Sequence, residues 1–185
     1  MTTFLKRMAF AVAALIVATT AQPVAAAAPD DTLVLELATG QVMIELRSDL
    51  APKHVARIKE LVRKGFYDGT PFHRVIAGFM AQGGDPTGTG TGGSGTKLRA
   101  EFSGEPFVRG VVGMARSASP DSADSQFFIM LGSAPSLDGK YTIVGKVIEG
   151  MESVDRIKKG DSSDNGAVSK PDKLVRAQIL TDIKK

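Results

Sequence analysis

Phe72-His73-Arg74-Val75-Ile76-Ala77-Gly78-Phe79-Met80-Ala81-Gln82-Gly83-Gly84-Asp85 brings a cation, a phenyl ring, a thioether and an amide together within nine residues. The run reads as two short strands, Phe72 to Ile76 and Gly78 to Gln82, meeting at a turn. Side chains alternate across a strand, so Arg74, Met80 and Gln82 have one parity and share a face. Phe79 has the other parity and joins them only if the turn at Ala77-Gly78 or a bulge shifts the register. Taken alone, the segment also reads as a surface arginine beside a core phenylalanine and methionine.

Upstream, Thr32 to Leu37 and Val42 to Arg47 alternate apolar and polar residues around Ala38-Thr39-Gly40-Gln41, the pattern of a β-hairpin. Ala51-Pro52 then opens a segment with Val55, Ile58, Leu61 and Val62 at helical spacing, which the region from Gly65 to Gly69 stops. Downstream, apolar stretches recur at Val111 to Ala115, Gln126 to Leu131 and Thr142 to Val147, with turn-forming residues between them. A second helix is expected from Met151 to Lys158, a polar loop from Gly160 to Asp172, and a last strand from Leu174 to Ile183. About eight strands and two helices, without regular βαβ alternation, predict a mainly β fold. The expected form is an eight-stranded antiparallel closed barrel capped by two α-helices.

The chain has 185 residues, 43% hydrophobic and 23% charged, which excludes a fibrous or wholly disordered protein. Lys6 and Arg7 precede an apolar run from Met8 to about Ala18 and a small-residue stretch from Ala25 to Ala28, the outline of a secretory signal peptide cleaved near Ala26 or Ala27. The apolar run is about half the roughly 20 residues of a membrane-spanning helix; an uncleaved N-terminal anchor is the alternative. The expected organisation is a signal peptide at 1–27 and a single domain at 28–185. A periplasmic address, or alternatively a secreted one, follows, with no membrane attachment after cleavage. Loss of Lys6 and Arg7 takes the formal charge from +3 to +1, which removes the electrostatic argument for nucleic acid. The chain has no cysteine, hence no disulfide framework and no thiol nucleophile.

Other motifs carry weaker chemistry. Gly83 to Gly95 is glycine-rich, and Gly88 to Gly93 formally matches G-x-G-x-x-G, yet no helix opens there and no acidic residue follows at the spacing of a dinucleotide site. A compact loop whose backbone requires glycine is one reading; a loop edging a ligand groove is the other. With His54 and His73 as the only imidazoles and no thiols, a transition-metal site is not expected. Ser117, Ser119, Ser122 and Ser125 stand near Asp121 and Asp124, but no G-x-S-x-G elbow supports a hydrolase. His54 is expected on a helix surface and His73 in packing or hydrogen bonding.

The run from Phe72 to Gly93 closely resembles the first signature of cyclophilins. Ser125-Gln126-Phe127-Phe128-Ile129, Leu137-Asp138-Gly139-Lys140 and Val144-Gly145-Lys146-Val147 resemble the second, in the right order. The resemblance, to a bacterial exported member, covers most of the chain after the signal segment. It implies a barrel with a helix at each end and catalysis of cis-trans isomerisation at X-Pro bonds, with proline-containing polypeptides as partners, no cofactor and a monomeric state. Matched positions assign catalysis to Arg74 and substrate binding to Phe79, Met80, Gln82, Ala115, Arg116, Gln126, Phe128, Leu137 and Tyr141. Phe79, Met80, Phe128 and Leu137 would form the proline pocket, with Gln82 and backbone groups near Ala115 and Arg116 holding the substrate main chain.

Three positions depart from the best-known eukaryotic members: Ser136 replaces tryptophan, Tyr141 histidine, and Arg116 asparagine. The missing tryptophan implies weak cyclosporin binding. A peptide-binding or chaperone module using the same groove without turnover is the competing reading, and retention of Arg74 beside Phe79, Met80 and Gln82 argues against it.

Overall fold

A computed structural model describes residues 27–183, so all but the last residue of the expected signal segment lies outside the described residues. The described residues open with a 3-10 turn (Pro29–Asp31) and the hairpin of β1 (Thr32–Leu37) and β2 (Gly40–Leu46), paired from Thr32 opposite Glu45 to Leu37 opposite Gly40. Helix α1 (Pro52–Arg63) starts at a proline, whose fixed φ and missing N–H suit a first helical turn. It turns His54, Val55, Ile58, Leu61 and Val62 inward. Strands β3 (Arg74–Ile76), β4 (Met80–Gly83), β5 (Val111–Met114), β6 (Phe127–Met130) and β7 (Ile143–Glu149) follow, then α2 (Met151–Asp155) and β8 (Leu174–Ile179).

All eight strands belong to one antiparallel sheet in the order β3-β4-β6-β5-β7-β2-β1-β8. The expected closed barrel is thereby corrected: no ladder joins β3 to β8, and the sheet is an open half-barrel. The reason lies at the edge of β3, where the loop between α2 and β8 takes the ladder positions. Val75 N–H donates to Gly166 O (2.8 Å), Gly160 N–H to Val75 O (2.9 Å) and Val168 N–H to His73 O (3.0 Å). The seam toward β8 is bridged just before β3, where Leu174 N–H donates to Thr70 O and Phe72 N–H to Asp172 O, both at 2.9 Å. Strands β3 to β7 differ from expectation by one or two residues at their ends, and two elements near the C-terminus differ by more. The second helix stops at Asp155, short of Lys158, and the last strand stops at Ile179, where Leu180–Asp182 turns as a 3-10 helix.

Period-two alternation divides the apolar residues between two clusters. Inside the half-barrel, Leu35, Val42, Ile44, Val75, Ala81, Val112, Phe127, Ile129 and Val144 pack with α1. On the outer face of the other end of the sheet, Met80, Phe107, Val111, Phe128, Met130, Ala134 and Ile143 form a second cluster. Neighbours on a strand therefore part company: Phe127 and Ile129 face in, Phe128 and Met130 face out.

His54 corrects a second expectation. It lies in the first turn of α1, fully buried, because a carboxylate from a distant loop covers it. Glu101 accepts from the His54 ring Nδ1 at 2.7 Å and from the amides of His54 and Lys53 at 3.0 and 3.2 Å. The first turn of a helix has unpaired N–H groups, and Ala51, at the N-cap, has no side chain to accept from them. Burial works to raise the Glu101 pKa, and the bonds from the His54 ring and the two amides outweigh it, so the carboxyl stays ionised below its ordinary range.

Replacing Glu101 with alanine removes the cap and leaves a buried imidazole unpartnered. We expect a loss of about 2 kcal/mol of unfolding free energy in urea denaturation. A change below about 0.5 kcal/mol, the ordinary surface range, would contradict the capping role.

Candidate active site

The registers of β3, β4, β6 and β5 set one row of residues across the outer face. Arg74 stands opposite Gln82, Gln82 opposite Phe128, and Phe128 opposite Gly113. Gly113 needs its missing side chain, since a Cβ there would lie 2.5 Å from the Phe128 ring and 2.8 Å from that of Phe107. Phe107 stacks on Phe128 in that space, ring centroids 5.8 Å apart. Met80 is two pairs along, hence on the same face, opposite both Ile76 and Met130. Phe79 reaches the same side from the turn, as required: Gly78 takes φ +70°, and Phe79 lies outside both strands with its amide donating to Ile76 O.

On this face lies a cavity of about 110 Å³, to which Phe79, Met80, Phe128, Leu137, Tyr141 and Ala115 contribute apolar surface and Arg74, Gln82 and Arg116 polar groups. The Tyr141 ring meets the Phe128 ring edge-on at 5.8 Å. The Arg116 guanidinium lies 4.4 Å from the Tyr141 centroid and donates to the carbonyls of Lys140, Ser117 and Ala118. Arg116 thus fixes that wall by cation-π contact and by tying down backbone. Gln126 is the one expected site residue outside this cavity. It lines an adjoining groove of about 350 Å³ that shares Gln82, Ala115 and Arg116 with the first. Ser136 is exposed on the short turn preceding Leu137.

Polar bonds run from the cation to the glycine-rich loop. Arg74 Nη1 donates to Gln82 Oε1 (3.3 Å), Gln82 Nε2 to Gln126 Oε1 (2.9 Å), and Gln126 Nε2 to the carbonyls of Gly90 (3.0 Å) and Gly92 (2.8 Å). The amides of those two glycines donate to Asp85 Oδ2 at 2.7 and 3.1 Å, and Thr87 donates its amide and hydroxyl to Oδ1. Burial pushes the Asp85 pKa up, and these donors together bring it below the ordinary value, so a buried carboxylate holds the loop as an anion. Both readings of the loop hold: it is compact, with a Gly92 Cβ excluded by Asp85 at 2.1 Å, and it edges the larger groove. His73 is buried beside it, 3.6 Å from where a Gly90 Cβ would be, and desolvation lowers its pKa against the nearby Asp85 charge. It serves packing, as a neutral ring.

Arg74 is only partly buried; desolvation lowers its pKa, but a guanidinium remains charged at neutral pH. Two members of the site had no legible signal. Phe107 follows a long irregular segment, and Asn165 lies 91 residues from the arginine whose Nε and Nη2 it accepts from, both at 2.9 Å. The Asn165-Gly166 dipeptide announces a turn and nothing of its neighbour.

The candidate site thus sets a bonded cation at the rim of a small apolar pocket, beside a wider groove. Residues 32–179 match the model of the cyclophilin type peptidyl-prolyl cis-trans isomerase/CLD family. A probable peptidyl-prolyl cis-trans isomerase of Brucella suis is 57% identical over 175 residues, covering 88% of this chain and 89% of its own. Among solved structures, a cyclophilin of Hirschia baltica superposes with a TM-score of 0.76 at 31% identity, covering 85% of this chain and 77% of the other. A Cryptosporidium parvum cyclophilin type isomerase, crystallised in the presence of the dipeptide Ala-Pro, superposes at 0.73 with 32% identity, over 80% of this chain and 98% of the other. With most of its length matched by the family model and by relatives at this identity, the chain belongs to the cyclophilin-type peptidyl-prolyl cis-trans isomerases.

Proposed function

We propose that the enzyme isomerises X-Pro bonds by directing Arg74 at the amide nitrogen of a proline whose ring sits among Phe79, Met80, Phe128 and Leu137. The observation that carries this reading is the bonded guanidinium of Arg74 at the rim of that apolar pocket. A planar amide resists rotation by about 18–20 kcal/mol because the nitrogen lone pair is delocalised into the carbonyl. At the twisted transition state the pair is localised on nitrogen and accepts a hydrogen bond that neither planar isomer can. That difference between transition state and ground state is what accelerates a reaction. It acts on cis-to-trans and trans-to-cis rotation alike. Gln82 and the backbone at Ala115 and Arg116 hold the flanking peptide, Gln126 steadies Gln82, and Tyr141 closes the pocket wall.

One charge-assisted bond in a partly dry site contributes about 2–4 kcal/mol, roughly 30- to 1,000-fold in rate. Arg74→Ala is expected to lose acceleration in that range in NMR exchange on an Ala-Pro peptide while still binding it. A variant with the wild-type rate would remove Arg74 from the mechanism; binding without acceleration by the wild type would favour the peptide-recognition module.

We further propose that the protein acts as a monomer on exported polypeptides during their folding, in the periplasm or, alternatively, the medium. The support is Lys6 and Arg7 ahead of the apolar run and the small residues from Ala25 to Ala28. Uncatalysed X-Pro exchange takes tens of seconds, long enough to limit folding. Expression in a bacterium should yield an exported chain beginning near Ala27 or Ala28. A cytoplasmic chain retaining its first residues would contradict the proposal.

Ser136 is exposed and short where the tryptophan of cyclosporin-sensitive relatives offers an indole N–H. Cyclosporin is therefore expected to inhibit weakly, and nanomolar inhibition in a direct titration would contradict that expectation.

A further inference from the structure

Asn165 takes up more of Arg74 than any other residue does. Its main-chain oxygen accepts from Nε and its Oδ1 from Nη2, each at 2.9 Å, while Gln82 accepts from Nη1. A guanidinium has five N–H bonds in one plane. Three are engaged here, and the two left over sit one on each terminal nitrogen. The Nε–Nη2 edge is held along its length, so the plane of the cation and its rotation in that plane are both set before any peptide arrives.

The backbone at this position is equally defined. Asn165 has φ +49°, in the left-handed region that asparagine tolerates better than most residues. The loop is anchored along the free edge of β3, on either side of Asn165, by the bonds of Val75 to Gly160 and Gly166. Gly166 is buried so closely that a Cβ would lie 2.4 Å from Ile76 Cγ1. The position thus requires a residue that both accepts a left-handed backbone and presents an oxygen at the end of a short side chain.

We propose that Asn165 is a positioning residue for the isomerase reaction, fixing the Arg74 guanidinium so that its two remaining N–H bonds face the groove. A long arginine side chain loses considerable rotamer freedom when it is ordered, and a site that orders it in advance spares the transition state that loss. The inference rests on the reading of Arg74 as the donor to the proline nitrogen.

Asn165→Gly keeps the left-handed backbone and its carbonyl and removes only the side-chain acceptor. Asn165→Asp tolerates the same backbone and restores an acceptor. Exchange of an Ala-Pro peptide at saturating and sub-saturating concentration, with Arg74→Ala in parallel, separates kcat from peptide affinity. Asn165→Gly should lower kcat about tenfold, equivalent to about 1.4 kcal/mol, with peptide affinity within about twofold of wild type. Asn165→Asp should recover most of that loss. Wild-type kcat in Asn165→Gly, or no recovery in Asn165→Asp, would overturn the inference while leaving Arg74 in place. Wild-type kcat in Arg74→Ala would overturn the donor assignment and the role of Asn165 together.

Discussion

The register of β4 against its two neighbours is the constraint on which the site depends. It sets Arg74 opposite Gln82 and Gln82 opposite Phe128, so the cation, the amide and the floor of the pocket form one row on one face. Side chains alternate along a strand, and a slip of one residue would exchange the faces. Val75 and Ala81, both fully buried inside the half-barrel, would then point outward, and Arg74 and Gln82 would point into an apolar interior. The inner cluster holds this register, and the outer cluster, with Gly113 making room for the Phe107 and Phe128 rings, turns it into a pocket. The main core and the candidate site therefore occupy opposite faces of the same strands.

The polar part of the site has a direction as well as a geometry. Gln126 must give its Nε2 to the carbonyls of Gly90 and Gly92, so only its oxygen is left for Gln82. Gln82 must then give its own Nε2 to that oxygen, which leaves its oxygen for Arg74. Every donor along this path points away from the guanidinium and toward the buried Asp85 carboxylate. Aligned hydrogen bonds polarise one another, and a chain with a cation at one end and an anion at the other resists inversion of any member. The glycine-rich loop is in this sense part of the candidate site, through its Gly90 and Gly92 backbone and its Asp85 carboxylate.

Much of the fold was legible because it is written in local periodicity. The hairpin of β1 and β2, the inward face of α1 and the short strands around Arg74 and Phe128 follow from apolar spacing and turn residues. The parity argument required a turn or a bulge to bring Phe79 to the row, and the turn at Gly78, with β4 starting only at Met80, supplies it. What was not legible depends on contacts between distant segments. Whether the sheet closes is decided at the edge of β3 by the loop at Gly160 to Val168, which carries no strand pattern. The burial of His54 depends on Glu101, which is 47 residues away and has no spacing relation to the helix. Asn165 is a turn residue in the sequence and a partner of the site's cation in space. The expected site residues came from long motifs whose members converge on one cavity, with Gln126 on its neighbour.

Asn165 and Gln82 hold the Arg74 guanidinium without any peptide present, and the proposed mechanism needs that orientation to be the one that meets the proline nitrogen. Nitrogen-15 relaxation of the Arg74 Nε–H group, in the free protein and with saturating Ala-Pro peptide, measures that restraint directly. An order parameter near that of rigid backbone, about 0.85, is expected in both states. A value below about 0.6 in the free protein, rising only when peptide binds, would contradict it.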